Sequence, residues 1–249
     1  MILIKTPEEI KIMAEGGKIL AKIMKELAKK VKPGVATKEL DRVAETLVLS
    51  SGGKCSFKGF GGYPTCLCAS INEEIVHALP SDRILREGDI LSLDLGILYK
   101  GYHTDMAITL PVGKISHEAQ RLIAVTKKTL EIGLKEVKPG NTLGDIGSNI
   151  QKYVESQGLN VVRDLCGHGI GRELHEEPRI LNYGKEKTGL EIKEGMVLCL
   201  EPMVTAGDWK IKKTKDGFAF QTLDSSLSAH FEHTIAVTKI GCRLLTKLK

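Results

Sequence analysis

A chain of 249 residues, 42% hydrophobic and 27% charged, can bury one full core or two fused halves. No run approaches the roughly 18 uninterrupted apolar residues of a membrane span, and Pro7, Glu8 and Glu9 interrupt the N-terminus before a secretory core could form. The net charge of +5 comes from lysines scattered over helical faces and a basic end, Lys239 to Lys249, without an arginine cluster interleaved with aromatics. That pattern excludes a DNA-binding reading and leaves at most a weak attraction to RNA, as near a ribosome. The six cysteines form no C-x-x-C pair, and Cys199 lies in an apolar strand where a reduced thiol packs as a small hydrophobe. A monomer in a reducing cytoplasm is expected.

The first helix is predicted to be capped by Thr6, with Pro7 at its first position and Glu9 completing a capping box. Ile10, Met13, Ala14, Gly17, Leu20, Ala21, Met24, Leu27 and Ala28 then recur at helical spacing. After Pro33-Gly34 a second helix runs from near Thr37 to Gly52-Gly53, with Leu40, Val43, Ala44, Leu47 and Val48 on one face. A glycine-rich segment, Gly59 to Gly62, precedes β-like runs over Thr65 to Ile71, Asp89 to Leu95 and His103 to Leu110, the last after a turn at Tyr99-Lys100-Gly101. The order then restarts. A helix opens near Ser116, Pro139-Gly140 follows, and another helix carries Leu143, Ile146, Ile150, Tyr153 and Val154. Strand-like segments then surround His168, Glu201 and Glu232.

The restart is also written in the residues. Arg86 to Asp94, REGDILSLD, is echoed 107 positions later by Lys193 to Glu201, KEGMVLCLE. Val31-Lys32-Pro33-Gly34 returns as Val137-Lys138-Pro139-Gly140, and Asp105 to Thr109 returns around Glu232 to Thr238. So long a period does not fit a solenoid; two copies fit a pseudo-twofold α+β fold with halves about 1–111 and 112–249.

Strand alternation puts Ile90, Ser92 and Asp94 on one face and the leucines between them on the other; Val197, Cys199 and Glu201 repeat the pattern. Asp105 and Glu232 begin matching faces in the next pair of strands. Four acids meeting at a pseudo-dyad repel unless cations neutralise them. No lysine or arginine recurs in register beside them, so metal is the expected neutraliser. His103 and His230 share the faces of Asp105 and Glu232 and read as supporting or structural groups. His168, between Gly167 and Gly169, offers an unshielded imidazole. His175-Glu176-Glu177-Pro178 is not H-E-x-x-H, because Arg179 stands where the second histidine would be. His77, in an apolar stretch, is a further candidate. Four carboxylates and one imidazole suit two divalent ions, Mn, Fe, Co or Zn. Two such ions about 3.5–4 Å apart activate water for hydrolysis. No G-x-S-x-G elbow and no P-loop competes.

The ordered set Asp94, Asp105, His168, Glu201 and Glu232, with Gly167-His168-Gly169-Ile170-Gly171, His175-Glu176-Glu177-Pro178 and Glu201-Pro202-Met203-Val204, resembles the type I methionine aminopeptidases over essentially the whole chain. The resemblance implies the pita-bread fold: one catalytic domain, 1–249, whose two pseudo-twofold halves carry a central antiparallel sheet covered by helices. It implies that Asp94 binds one metal, Asp105 and Glu232 bridge both, and His168 and Glu201 complete the other. Glu201 would take the proton of the attacking, metal-bridging water, and His77 and His175 would hydrogen-bond the scissile peptide and its developing oxyanion. Phe57, Phe60, Tyr63, Cys68, Leu174 and Phe218 would form the first-residue pocket. Leu174 replaces the phenylalanine often found in the family and Phe57 is larger than the cysteine found there in some members, which bears on the depth of that pocket.

The implied reaction is removal of N-terminal methionine from nascent proteins, favoured by a small second residue. The chain carries neither an N-terminal zinc-binding extension nor a long insertion between His175 and Glu201, so the compact bacterial form is expected. A proline-directed peptidase of the same fold would keep the ligands but change the pocket, and usually adds an N-terminal domain. A silent binding protein of this fold would have lost ligands, and all five are present.

Overall fold

The computed structural model describes residues 2–247; Met1 and the last two residues of the basic end, Leu248 and Lys249, lie outside it. Helix α1 spans Pro7–Ala28, and its start is the expected capping box. The Glu9 N–H donates to Thr6 Oγ1 at 3.2 Å and the Thr6 N–H donates to Glu9 Oε2 at 2.9 Å. Helix α2 spans Thr37–Ser50. The strands between α2 and α3 are β1 (Lys54–Cys55), β2 (Leu67–Ile71), β3 (Glu74–Val76), β4 (Ile90–Tyr99) and β5 (Tyr102–Pro111). Helices α3 (His117–Glu136) and α4 (Leu143–Ser156) follow, α3 capped by Ser116 Oγ. The remaining strands are β6 (Asn160–Val161), β7 (Gly167–Gly169), β8 (Glu176–Ile180), β9 (Val197–Leu200), β10 (Met203–Thr205), β11 (Ile211–Lys213), β12 (Phe220–Thr222), β13 (Ser228–His230), β14 (His233–Thr238) and β15 (Gly241–Leu244).

Two antiparallel sheets frame the site. In the first, the long β4 pairs with β1 and β2 and with β5; the second has the order β15-β14-β9-β7-β8. They meet where β5 faces β14. The Asp105 N–H donates to Thr234 Oγ1 and that hydroxyl donates to Asp105 O, both at 2.8 Å, while the Glu232 N–H donates to Ala107 O at 2.9 Å. Each sheet has its own helical cover. Leu20, Met24 and Leu27 of α1 and Leu40 of α2 pack on Leu91, Leu93 and Leu95, the aliphatic face that alternation predicts for β4. Leu122 and Leu130 of α3 and Ile146, Ile150 and Val154 of α4 pack on Leu198 and Leu200 of β9 and Ile235 of β14. A third cluster, with Met13, Tyr63, Cys68, Leu174, Val197 and Cys199, takes residues from both sides and lies beside the carboxylates.

Three boundaries differ from the sequence reading. The run expected to begin at Thr65 starts at Leu67, because the Cys66 and Leu67 N–H groups donate to Asp41 Oδ1, each at 2.9 Å, rather than to a strand. The run expected to stop at Leu95 continues through Gly96 to Tyr99, paired with β5 as far as Tyr102. Cys55 and Cys66, which carried no spacing signature, are joined in a disulfide across the base of the glycine-rich segment, a departure from the reduced thiols expected of a reducing compartment; Cys68, Cys166, Cys199 and Cys242 are free. Among the described residues no helix is long and apolar enough to cross a membrane.

Candidate active site

The five expected ligands lie on, or at the ends of, five strands of the two sheets. Asp94 lies in β4 opposite Cys68 of β2, and Asp105 in β5 opposite Gly96. His168 lies in β7 opposite Cys199 of β9, Glu201 follows the end of β9, and Glu232 immediately precedes β14. Close approach of β7 and β9 requires Gly167: a Cβ there would stand 2.3 Å from Cys199 O. The His168 imidazole is oriented by its own strand. Nδ1 lies 2.8 Å from Gly169 O, and a carbonyl only accepts, so Nδ1 carries the proton and Nε2 is free to ligate.

Asp94, Asp105 and Glu232 are buried, with 8%, 3% and 2% of their surface exposed. Their nearest oxygens all lie within 4.8 Å of one another. Asp94 Oδ1, Asp105 Oδ1 and Glu232 Oε1 have no hydrogen-bond partner, and among the described residues no lysine or arginine pairs with them or with Glu201. Burial first, and neighbouring carboxylates second, push the Asp94, Glu201 and Glu232 carboxyls well above the usual range; burial raises Asp105 as well. Buried acids without donors are what a divalent cation would complete, and oxygen ligation with one imidazole suits Mn, Fe, Co or Zn. The residues present therefore fit a metal. Two groups of donor atoms share Glu232: one with Asp94 and Asp105, one with His168 and Cys199. Burial, followed by the charge of Glu232, holds the Cys199 thiol protonated, so Glu201 is the better donor on the His168 side. His168 Nε2 lies 3.5 Å from Glu201 Oε1.

Beside the carboxylates opens a cavity of about 570 Å³, and every sequence-predicted site residue lines it. Phe57, Tyr63, Cys68 and Leu174 are buried in its wall, whereas Phe60 is 49% exposed at the mouth. The rings of Phe57 and Phe218 meet Tyr63 edge-on at 6.5 and 5.5 Å, and Tyr63 OH donates to Ala78 O at 3.1 Å. The pocket is thus apolar with its one hydroxyl turned away. His175 stands over the ligands, 4.4 Å between ring centres from His168 and 5.0 Å from Phe60. His77 follows β3 in the left-handed region, φ 61°, which aims its ring into the cavity. Its ring lines the cavity, where loss of hydration first and the nearby His175 second lower its pKa to about 4. Neutral imidazoles here can donate a hydrogen bond to a peptide oxygen.

The structure separates the two histidines that the sequence grouped together. His103 turns away from the acids, with Nδ1 2.9 Å from Ser56 Oγ. His230 is buried, among the described residues neither ring nitrogen is hydrogen-bonded, and its Nε2 is 3.7 Å from Glu201 Oε2. Alternation had placed His230 on the Glu232 face, but not against Glu201. Sequence reasoning also missed the outer wall, where Arg179 Nε donates to Cys166 Sγ at 3.2 Å and Met203 completes the floor. Arg179 and Cys166 meet because β8 folds back beside β7, while Met203 reaches the cavity from β10.

A model described as "Metallopeptidase family M24" matches residues 11–239. Methionine aminopeptidase 1 of Bacillus subtilis (strain 168) is 47% identical over 248 residues, covering 100% of both chains. The crystal structure of a methionine aminopeptidase from Thermotoga maritima superposes with a TM-score of 0.98 at 44% identity, again over 100% of both. A prolidase from Pyrococcus horikoshii OT3 shares the fold at a TM-score of 0.80 and 24% identity, with this chain covering 65% of its length. The fold is the pita-bread fold, whose sheets and helical covers are those described above.

Proposed function

The chain belongs to metallopeptidase family M24, and on that premise we propose that it is a methionyl aminopeptidase, removing N-terminal methionine from new polypeptides whose second residue is small. The observation that carries the reading is one cavity holding three donor-starved carboxylates, Asp94, Asp105 and Glu232, with Glu201 and His168, beside an apolar, aromatic-walled pocket. An aspartate-rich cradle alone would fit many metallohydrolases; a pocket of Phe57, Phe60, Tyr63, Cys68, Leu174 and Phe218 narrows the first residue to an unbranched apolar side chain.

Asp94, Asp105, His168, Glu201 and Glu232 hold the metal, and two sets of donors sharing Glu232 support two divalent ions, Co, Mn, Fe or Zn. Bound there, divalent cations supply Lewis acidity that polarises the peptide carbonyl and favours ionisation of water. Glu201 accepts the proton of the attacking water. It must be ionised to do so; burial, and then the charges of Asp94 and Asp105, raise its carboxyl, and positive charge at the site would favour the ionised form. His77 and His175, neutral at physiological pH, donate to the scissile peptide and to the oxygen on which charge develops. Phe60 and His175, in contact at the mouth, shield the reacting carbonyl from bulk water. Residues 1–249 act as one catalytic domain working as a monomer in the cytoplasm, on nascent chains close to the ribosome.

The metal-loaded protein is expected to release methionine from Met-Ala-Ser and to spare Xaa-Pro dipeptides. Hydrolysis of Xaa-Pro with no action on Met-Ala-Ser would replace this assignment by the proline-directed one.

A further inference from the structure

We propose that Lys5 is a positioning residue for His175, which it holds through a buried ion pair with Glu176; the proposal rests on the reading of His175 as a group that touches substrate. Lys5 precedes the cap of α1, far in sequence from any ligand, yet its side chain is only 5% exposed and that of Glu176 only 6%. A lysine and a glutamate are almost never buried unless paired, and here Lys5 Nζ is paired with Glu176 Oε2. Both ends of the pair are fixed. The Lys5 N–H donates to Gly195 O at 2.8 Å, which fastens it to the turn before β9. The other Glu176 oxygen, Oε1, accepts from the Glu173 N–H at 3.3 Å.

Between those two residues runs the segment that presents His175. Residues 171 to 175 form neither helix nor strand. Among the described residues the His175 side chain makes no hydrogen bond, only edge contacts with His168 and Phe60. Its ring direction is therefore inherited from the backbone on either side. On one side Gly171 O accepts from the His103 N–H at 2.7 Å. On that same side Arg172 pairs with Glu9 at the surface, while on the other side Glu176 opens β8 opposite Gly169 and its side chain takes the buried ionic anchor on Lys5. Gly171 is shaped to that pair, since a Cβ there would meet Lys5 Cε at 2.5 Å and Glu176 Oε1 at 2.6 Å. A buried pair of this kind can often be replaced by apolar residues at no loss of stability. What such a replacement removes is a directional tether, and small displacements of a group at the reacting centre cost rate.

The test is a double-mutant cycle on fully metal-loaded protein with Met-Ala-Ser. Lys5→Met should lower kcat about 10-fold and leave KM within about 2-fold. In a His175→Ala background the same change should cost less than about 2-fold, because the group it positions is gone. Equal losses in both backgrounds, or no loss in either, would overturn the proposal. Lys5→Met strands a buried carboxylate, so the Lys5→Met/Glu176→Gln pair is measured beside it. That pair should melt near the parent temperature and still show the kcat loss; full recovery of kcat would also overturn the proposal. Failure of the parent protein to cleave Met-Ala-Ser counts against the functional reading instead. Hydrogen exchange at the amides of 172–176 then decides the tether by itself: it should speed up in Lys5→Met, and unchanged exchange refutes the role of Lys5 whatever peptide is cut.

Discussion

Asp94→Asn separates what the carboxylates do for metal from what they do to the fold. In metal-free protein the nearest oxygens of Asp94, Asp105 and Glu232 lie within 4.8 Å. Two unit charges at that separation repel by about 3.5 kcal/mol at an effective dielectric constant near 20, and Asp94 faces two such neighbours. Proton uptake relieves part of this, since burial and the neighbouring charge raise the Asp94 carboxyl well above its usual range. A neutral asparagine of the same shape should therefore stabilise the metal-free protein by about 1–3 kcal/mol at pH 7 to 8, or raise Tm by roughly 2–12 °C for a chain of this size. A raised carboxyl contributes stability that is intact below the unfolded pKa and is lost as pH rises toward the folded one. The advantage of Asp94→Asn should accordingly vanish near pH 4, where the unfolded carboxyl also binds its proton, and should grow as pH rises. With saturating Mn or Co the order should reverse, because the variant has given up a ligand. Thermal melts of both proteins, chelated and loaded, across pH 4 to 8 provide the measurement. A chelated variant that melts below the chelated parent at pH 8 would refute the claim that these acids repel one another in wait of a cation.

Two further outcomes follow from the same geometry. Glu201→Gln should lower peptide hydrolysis by more than about 100-fold, because both the proton acceptor and a charged metal ligand are lost, while the apolar pocket still binds an uncleaved methionine-containing peptide; steady-state kinetics beside calorimetry reads both. Gly167→Ala places a Cβ 2.3 Å from Cys199 O, so β7 and β9 must part. Destabilisation by about 2 kcal/mol or more is expected, with a lower metal content because His168 shifts; a variant with parental Tm and full metal loading would show that the strand pair yields freely.

The covalent pattern carried the helices and the acids to a large extent. Thr6, Pro7 and Glu9 fix the start of α1 within four residues of one another, and local hydrogen bonds need nothing from elsewhere in the chain. Alternation around Asp94 and Glu201 likewise assigned each leucine to its core, because a strand's two faces are set by its own geometry. Less was legible where a residue's surroundings come from distant strands. His103 and His230 look alike in sequence, yet one bonds Ser56 and the other is buried against Glu201. Cys55 and Cys66 carry no motif, and they join because the glycine-rich segment between them doubles back.

Local period and spacing thus laid out the duplicated α+β plan and marked Asp94, Asp105, His168, Glu201 and Glu232 as candidate donors, whereas the pocket aromatics came from the resemblance to the aminopeptidases. Tertiary structure alone decided which oxygens go without partners, which imidazole faces Glu201, and that Lys5 reaches the turn carrying His175. The reason is physical: capping and alternation act within a few residues, whereas burial and ion pairing depend on how β5 and β14 bring the two sheets together.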